Sequence, residues 1–266
     1  QKLRGWAARV GELRISEERG DPRVSVQLSA LDVDALLDRV LAEDNPGNRR
    51  RKIRQLLFDW MDLPTREGSH ARLKIDWRGA SRELRVLYRN VREMSHKDLS
   101  GRDDAWTILI DYPFDQDDHN PVEDRITLEG YLREHPEGAD TLAWLPWFLS
   151  SRGQRQLGRL VQVEYVLDRF DSFATEYPAE SRPMLRQQLE NLRNALRTEL
   201  NSALEIAYGL RPGDSKLVDS SHDLGGHLHS LRPDHSPRMP GGVDFAAALR
   251  KIAHGALEAR YPDSYD

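Results

Sequence analysis

The sequence predicts a mixed α/β fold: an α/β layer of P-loop-like or degenerate type, with β-hairpins and a helical extension. Three observations carry this. The run "WTILI" at 106–110 is aromatic, β-branched or aliphatic without polar alternation and ends in Asp111, as a strand covered on both faces of a sheet reads. "RLKIDW" and "ELRVLY" alternate apolar and polar residues around "RGASR", as the arms of a hairpin do. Residues 181–208 carry Leu185, Leu189, Leu192, Leu196, Leu200 and Leu204 at steps of three and four, the stripe of a long amphipathic helix.

The elements follow in order. "ARVGELRI" and "RVSVQL" flank "SEERGDP" and predict a first hairpin within 8–28. Asp32 or Asp34 can cap the next helix, which shows Leu36, Leu37, Val40 and Leu41 on one face. "DNPGN" breaks it, and Ile53, Leu56, Leu57, Trp60 and Met61 mark a second helix. The 72–88 hairpin has a basic exposed face of Arg72, Lys74, Arg78, Arg82 and Arg85, continued by Arg89, so DNA is a candidate partner. After the 106–110 strand, Asn120 and Pro121 are start signals for a helix through "VEDRITLEGYLREH". "TLAWLPWFL" at 141–149 reads as a second buried strand, followed by Ser150, Ser151 and Arg152. Because two such strands are joined by a helix, they are expected side by side and parallel, with Asp111 and Ser150 at one edge.

The rest reads as helical. Residues 154–171 are apolar around much of their circumference, Ser181 can start the long helix and Gly209 can end it. Residues 211–242, rich in Pro, Gly, Ser and His, are read as a long loop, and Phe245, Leu249, Ile252 and Ala256 mark a final helix. The expected divisions are an α+β unit at 1–62, an α/β layer at 63–152 and a helical extension at 153–266.

The composition narrows the function. With 266 residues and a net charge of −5, the surface as a whole is not basic enough to envelop nucleic acid. Without cysteine there is no disulfide, thiol nucleophile or cysteine-ligated zinc, which fits a reducing, cytoplasmic setting. No apolar run reaches the roughly 20 residues of a membrane helix. The chain does not begin with Met, which suggests a piece of a longer polypeptide.

An apolar strand ending in an acid is the arrangement of the nucleotidase strand that directs a carboxylate at magnesium. It makes Asp111 a candidate catalytic and metal-binding residue, with Asp115 beside it, and Ser150 and Arg152 fall where a γ-phosphate sensor would sit. The phosphate-loop pattern G-x-x-x-x-G-K-[ST] does not occur, so the chain is not expected to hydrolyse ATP alone. Asp111, Asp115, Asp117, Asp118, His119 and Glu123 offer hard oxygen ligands for magnesium, manganese or calcium, as in a metal-dependent nuclease. The competing reading is a solvated loop whose Asp117, Asp118 or Asn120 caps the next helix. His222, Asp223, His227, His229 and His235 suggest zinc, but so loosely spaced they read as exposed loop residues.

"TILIDYPFDQDDHNPVEDR", with "NRRRKIRQLLFDWMDLP", "LYRNVREMSHKDL", "TLAWLPWFLSSRGQRQLGRLV" and "LENLRNALRTELNSALEIAYGL", resembles the PglY/BrxC-like ATPases of phage-growth-limitation and BREX bacterial defence. The resemblance implies a very long parent with its phosphate loop in an upstream domain, Mg-ATP bound by the parent and no cofactor in this segment. It implies an internal module for assembly or coupling, whose partners are the parent's other domains and other defence proteins, with no membrane. The alternatives are a magnesium-dependent nuclease or nucleotide hydrolase using residues 111–123, and a structural spacer.

Overall fold

The computed structural model describes residues 13–15, 24–26, 32–64, 68, 70–100, 105–116 and 118–261. The chain divides into two compact units, one of residues 1–43 and 162–193, the other of 44–161 and 194–266.

In the first unit β1 (Leu13–Ile15) and β2 (Val24–Val26) pair antiparallel, as the first hairpin requires. Their flanks within 8–28 lie outside the described residues. Helix α1 (Val33–Asp38) starts where the Asp32 carboxylate accepts the Ala35 N–H at 2.9 Å. Arg39 grips Glu176 with both terminal nitrogens at 2.8 and 3.0 Å while its guanidinium lies over Phe173.

The second unit holds the sheet. Asn45 caps α2 (Pro46–Trp60) through the Asn48 N–H, Pro46 occupies the first turn, and Ile53, Leu56, Leu57 and Phe58 are buried. The antiparallel hairpin of β3 (His70–Trp77) and β4 (Ala80–Tyr88) follows, with β3 alternating exposed and buried at every residue. A single turn, α3 (His96–Leu99), precedes β5 (Thr107–Ile110), which is buried throughout. Helix α4 (Pro121–Glu134) then crosses to β6 (Thr141–Trp144). β4, β5 and β6 are parallel neighbours, as expected for the two buried strands.

The 141–149 segment is not one strand. Leu145 N–H still donates to His227 O at 2.8 Å, but Pro146 has no N–H to offer and Trp147 N–H turns away to Ala207 O at 2.8 Å. Phe148 and Leu149 form β7, paired with β8 (Val218–Asp219). The loop read at 211–242 supplies β8 and also β9 (Leu228–Ser230), which pairs antiparallel with β6 and completes the order β3-β4-β5-β6-β9. Short strands without alternation leave no periodic signal, so this edge was illegible in sequence.

The remaining helices are α5 (Ser151–Asp168), α6 (Phe170–Ala174), α7 (Arg182–Ala207) and α8 (Phe245–Arg260). The single helix expected at 154–171 is thus interrupted at Arg169. Gly209 closes α7 in the left-handed region at φ 74°, where Leu210 N–H reaches back to Glu205 O at 2.8 Å.

Both faces of the sheet are covered. Leu87, Leu109 and Ala143 share a register row and meet Leu128 and Tyr131 of α4 together with Val91, Leu99 and Leu231. One residue on, Tyr88, Ile110 and Trp144 face the opposite side. There Trp144 lies 5.6 Å from Tyr208 and 6.1 Å from Phe245, which stacks on Trp60, and its indole N–H donates to Tyr208 O.

The leucine stripe of α7 is buried at Leu185, Leu189, Leu196, Leu200 and Leu204, with Leu192 half-buried. Leu200→Ala should lower stability by about 2–5 kcal/mol, since it removes transfer energy and leaves a cavity. Met184→Ala, at an exposed position, should change it by under about 0.5 kcal/mol. Urea unfolding midpoints measure both, and similar losses for the two would show that the stripe is not core.

Candidate functional site

The carboxyl ends of β4 and β5 and the first turn of α4 converge on one side chain, Arg92. It lies in the 3₁₀ turn Val91–Glu93 that follows β4. The Asn90 amide oxygen opens that turn by accepting the Arg92 N–H at 2.9 Å. The guanidinium donates from Nε to Asp124 at 2.7 Å, from Nη1 to Glu123 at 3.2 Å and from Nη2 to Asp115. Asn90 also donates to Asp115. Asp124 and Glu123 are presented by the capping box of α4, in which Asn120 and Glu123 satisfy each other's backbone N–H groups. His119 Nδ1 lies 2.7 Å from Glu123.

Asp111 sits behind this network at 1% exposure. Its Oδ1 accepts the Tyr112 N–H at 2.7 Å and the Val91 N–H at 3.4 Å, whereas Oδ2 is buried with no hydrogen-bond partner among the described residues. Its carbonyl accepts the Tyr208 hydroxyl at 2.6 Å. Burial, reinforced by the nearby Asp124 charge, pushes the Asp111 carboxyl well above the usual carboxylate range. Burial likewise lifts Asp124 to about 6 despite its bond to Arg92, with Asp115 and Glu123 adding to the rise. One guanidinium cannot fully compensate so many carboxylates. Glu123 moves the other way, lowered first by His119.

The candidate residues separate. Asp111 and Asp115 belong to one network, the first buried behind it and the second within it. Asp115 and Ser150 line a common cavity of about 210 Å³ with His119, Asp219 and His222. Ser150 Oγ donates to Lys216 O at 2.7 Å and accepts the Gly153 N–H at 3.2 Å, so it opens α5. Arg152 lines a different cavity of about 850 Å³ with Asn194, Thr198, Glu199 and Asp214. Asp117 lies outside the described residues.

The hairpin's basic face is partly engaged. Arg72 pairs with Glu83 at 3.0 Å, Arg82 lies over Tyr261 and Arg78 over Trp77. In the histidine loop, His227 Nδ1 lies 2.8 Å from Leu145 O and His229 Nε2 2.9 Å from Gly226 O, while His235 abuts Trp106.

Sequence reasoning missed Arg92, Asn90 and Asp124. Arg92 stands among many exposed-type arginines, and only the return of α4 to the sheet edge places Asp124 beside it. The available signal was the stop of two neighbouring strands just before a charged residue.

The arrangement defines a mixed α/β domain whose sheet edge is closed by an ion-pair network. The chain belongs to the PglY family, since the family model for the PglY fourth domain matches residues 36–261. It is therefore a segment of a phage-defence-related protein. No solved structure matches it. Among the described residues no helix is long and apolar enough to cross a membrane.

The turn after β4 supplies Asn90-Val91-Arg92 and no glycine-rich cradle, and Asp111 is buried, its Oδ1 taken up by backbone N–H groups.

The raised Asp124 carboxyl sets a sign for the pH dependence. Between its ordinary value near 3.8 and about 6 the folded protein holds a proton that the unfolded chain has lost. This contribution is present below about pH 4 and is lost as pH rises through about 6, by roughly 3 kcal/mol at most. Urea midpoints should therefore fall more steeply over that interval in the wild type than in Asp124→Asn. A wild-type curve that rises relative to the variant would mean that attraction to Arg92 outweighs burial.

Proposed function

We propose that this segment is an internal module of a cytoplasmic antiphage ATPase of the phage-growth-limitation and BREX kind, serving assembly or coupling rather than catalysis by itself. The observation that carries this reading is the Arg92 network: two of the carboxylates expected to hold magnesium, Asp115 and Glu123, are bonded instead to an arginine, and Asp111 is buried. An edge braced in this way transmits position between β4, β5 and α4 without exchanging ligand. In this reading Mg-ATP belongs to the parent's phosphate-loop domain, and no cofactor binds here. The partners are the parent's other domains and other defence proteins, with DNA a further candidate through the exposed residues of β3.

The alternative, a magnesium-dependent nuclease or nucleotide hydrolase using residues 111–123, requires the Arg92 bonds to open so that Asp115, Glu123 and Asp124 turn to metal. Calorimetric titration of the chain with Mg·ATP separates the two. Our reading expects no saturable heat at micromolar nucleotide and no turnover. Micromolar binding that Asp111→Ala abolishes would overturn it.

A further inference from the structure

Away from the sheet edge, the start of α3 meets the end of α4. Ser95 caps α3 by accepting the Asp98 N–H at 3.2 Å, which sets His96 at the first helical position. α4 ends with Glu134, and His135 follows with its N–H still bonded to Tyr131 O at 2.8 Å. His96 Nδ1 lies 3.3 Å from His135 Nε2 and 3.4 Å from Glu134 Oε2. One ligand atom from each residue falls within 4.8 Å of the others.

The two separations from His96 match those between ligands of one cation. Ligands about 2.0–2.1 Å from a tetrahedral zinc are spaced by about 3.3 Å. Two imidazoles and one carboxylate form a donor set that suits zinc and neighbouring borderline metals. A carboxylate also stands near the other ring nitrogen of His135: Nδ1 lies 3.5 Å from Glu137 Oε1. A carboxylate on the non-ligating nitrogen fixes tautomer and ring orientation at metal-bound histidines. The Tyr131 ring supports both imidazoles, 5.6 Å from His96 and 4.7 Å from His135.

We infer that His96, Glu134 and His135 bind one zinc-class divalent cation, cross-linking α3 to the end of α4, with a fourth position open to solvent. This site is separate from the Arg92 network and does not depend on the proposed function. His96 lies 38 residues before Glu134, so no sequence motif announces it.

Zinc titrated calorimetrically into the chelator-treated chain should bind with one-to-one stoichiometry, and cobalt(II) in its place should give the intense visible absorption of tetrahedral coordination. His96→Gln and His135→Gln should each weaken zinc binding at least about tenfold, and Glu137→Gln about tenfold or more through the outer shell. His229→Gln, in the histidine loop, should bind like the wild type. Melting without zinc should be unchanged in these surface variants, and Glu134→Gln replaces any that fails to fold. Absent binding up to millimolar zinc, or equal affinity in wild type, His96→Gln and His135→Gln, would overturn the inference.

Discussion

The bonds from Arg92 to Asp115, Glu123 and Asp124 hold together the edge on which the rest of the sheet depends. β4 and β5 end at the same register row and must leave the sheet in different directions, while α4 must return over them. Arg92 follows β4, Asp115 follows β5, and Glu123 and Asp124 open α4, so one planar guanidinium joins all three exits. Its fork of donors suits several carboxylates at once, which a lysine ammonium would not. Such bonds in a half-buried setting are worth more for the geometry they impose than for net energy, because desolvation offsets much of the attraction.

With that edge held, the two faces of the sheet become distinct. One buries Leu87, Leu109 and Ala143 under α4, where aliphatic side chains fill the space. The other carries Trp144, Tyr208 and Phe245, whose polar atoms are tied back to the chain: the Trp144 indole to Tyr208 O, and the Tyr208 hydroxyl to Asp111 O. A hydrogen-bonded aromatic layer thus runs from beneath the helices to the acid at the end of β5. Asp111 is framed on one side by this layer and on the other by the backbone of Val91 and Tyr112. Its raised proton affinity follows from enclosure, as a carboxyl without water favours its neutral form.

Much of the fold was legible because its signals are local. The Asn120-Pro121 start of α4, the Asp32 cap, the β3–β4 hairpin and the unbroken apolar character of β5 each rest on residues within a few positions of one another. The α7 stripe was legible for the same reason, as its period is set by the helix itself. What failed were breaks and returns. Pro146 ends β6 within an apolar run, and β9 reaches the sheet from a segment whose Pro, Gly and His content is that of a loop.

The site divides along the same line. The sequence by itself determined that β5 would be a buried strand ending in acid, that its neighbour would be parallel, and that no phosphate loop accompanies them. Only the tertiary structure decided that Asp111 is enclosed and that Asp115 is bonded to Arg92. It alone decided, too, that Ser150 opens a helix and that Arg152 lines another cavity. The physical reason is sequence distance: 23 residues separate Arg92 from Asp115 and 32 separate it from Asp124, and 39 separate His96 from His135. Charges at such separations meet only after strand pairing and the crossover helix have closed the intervening loops, and no local pattern encodes which of the many arginines, acids and histidines will be brought together.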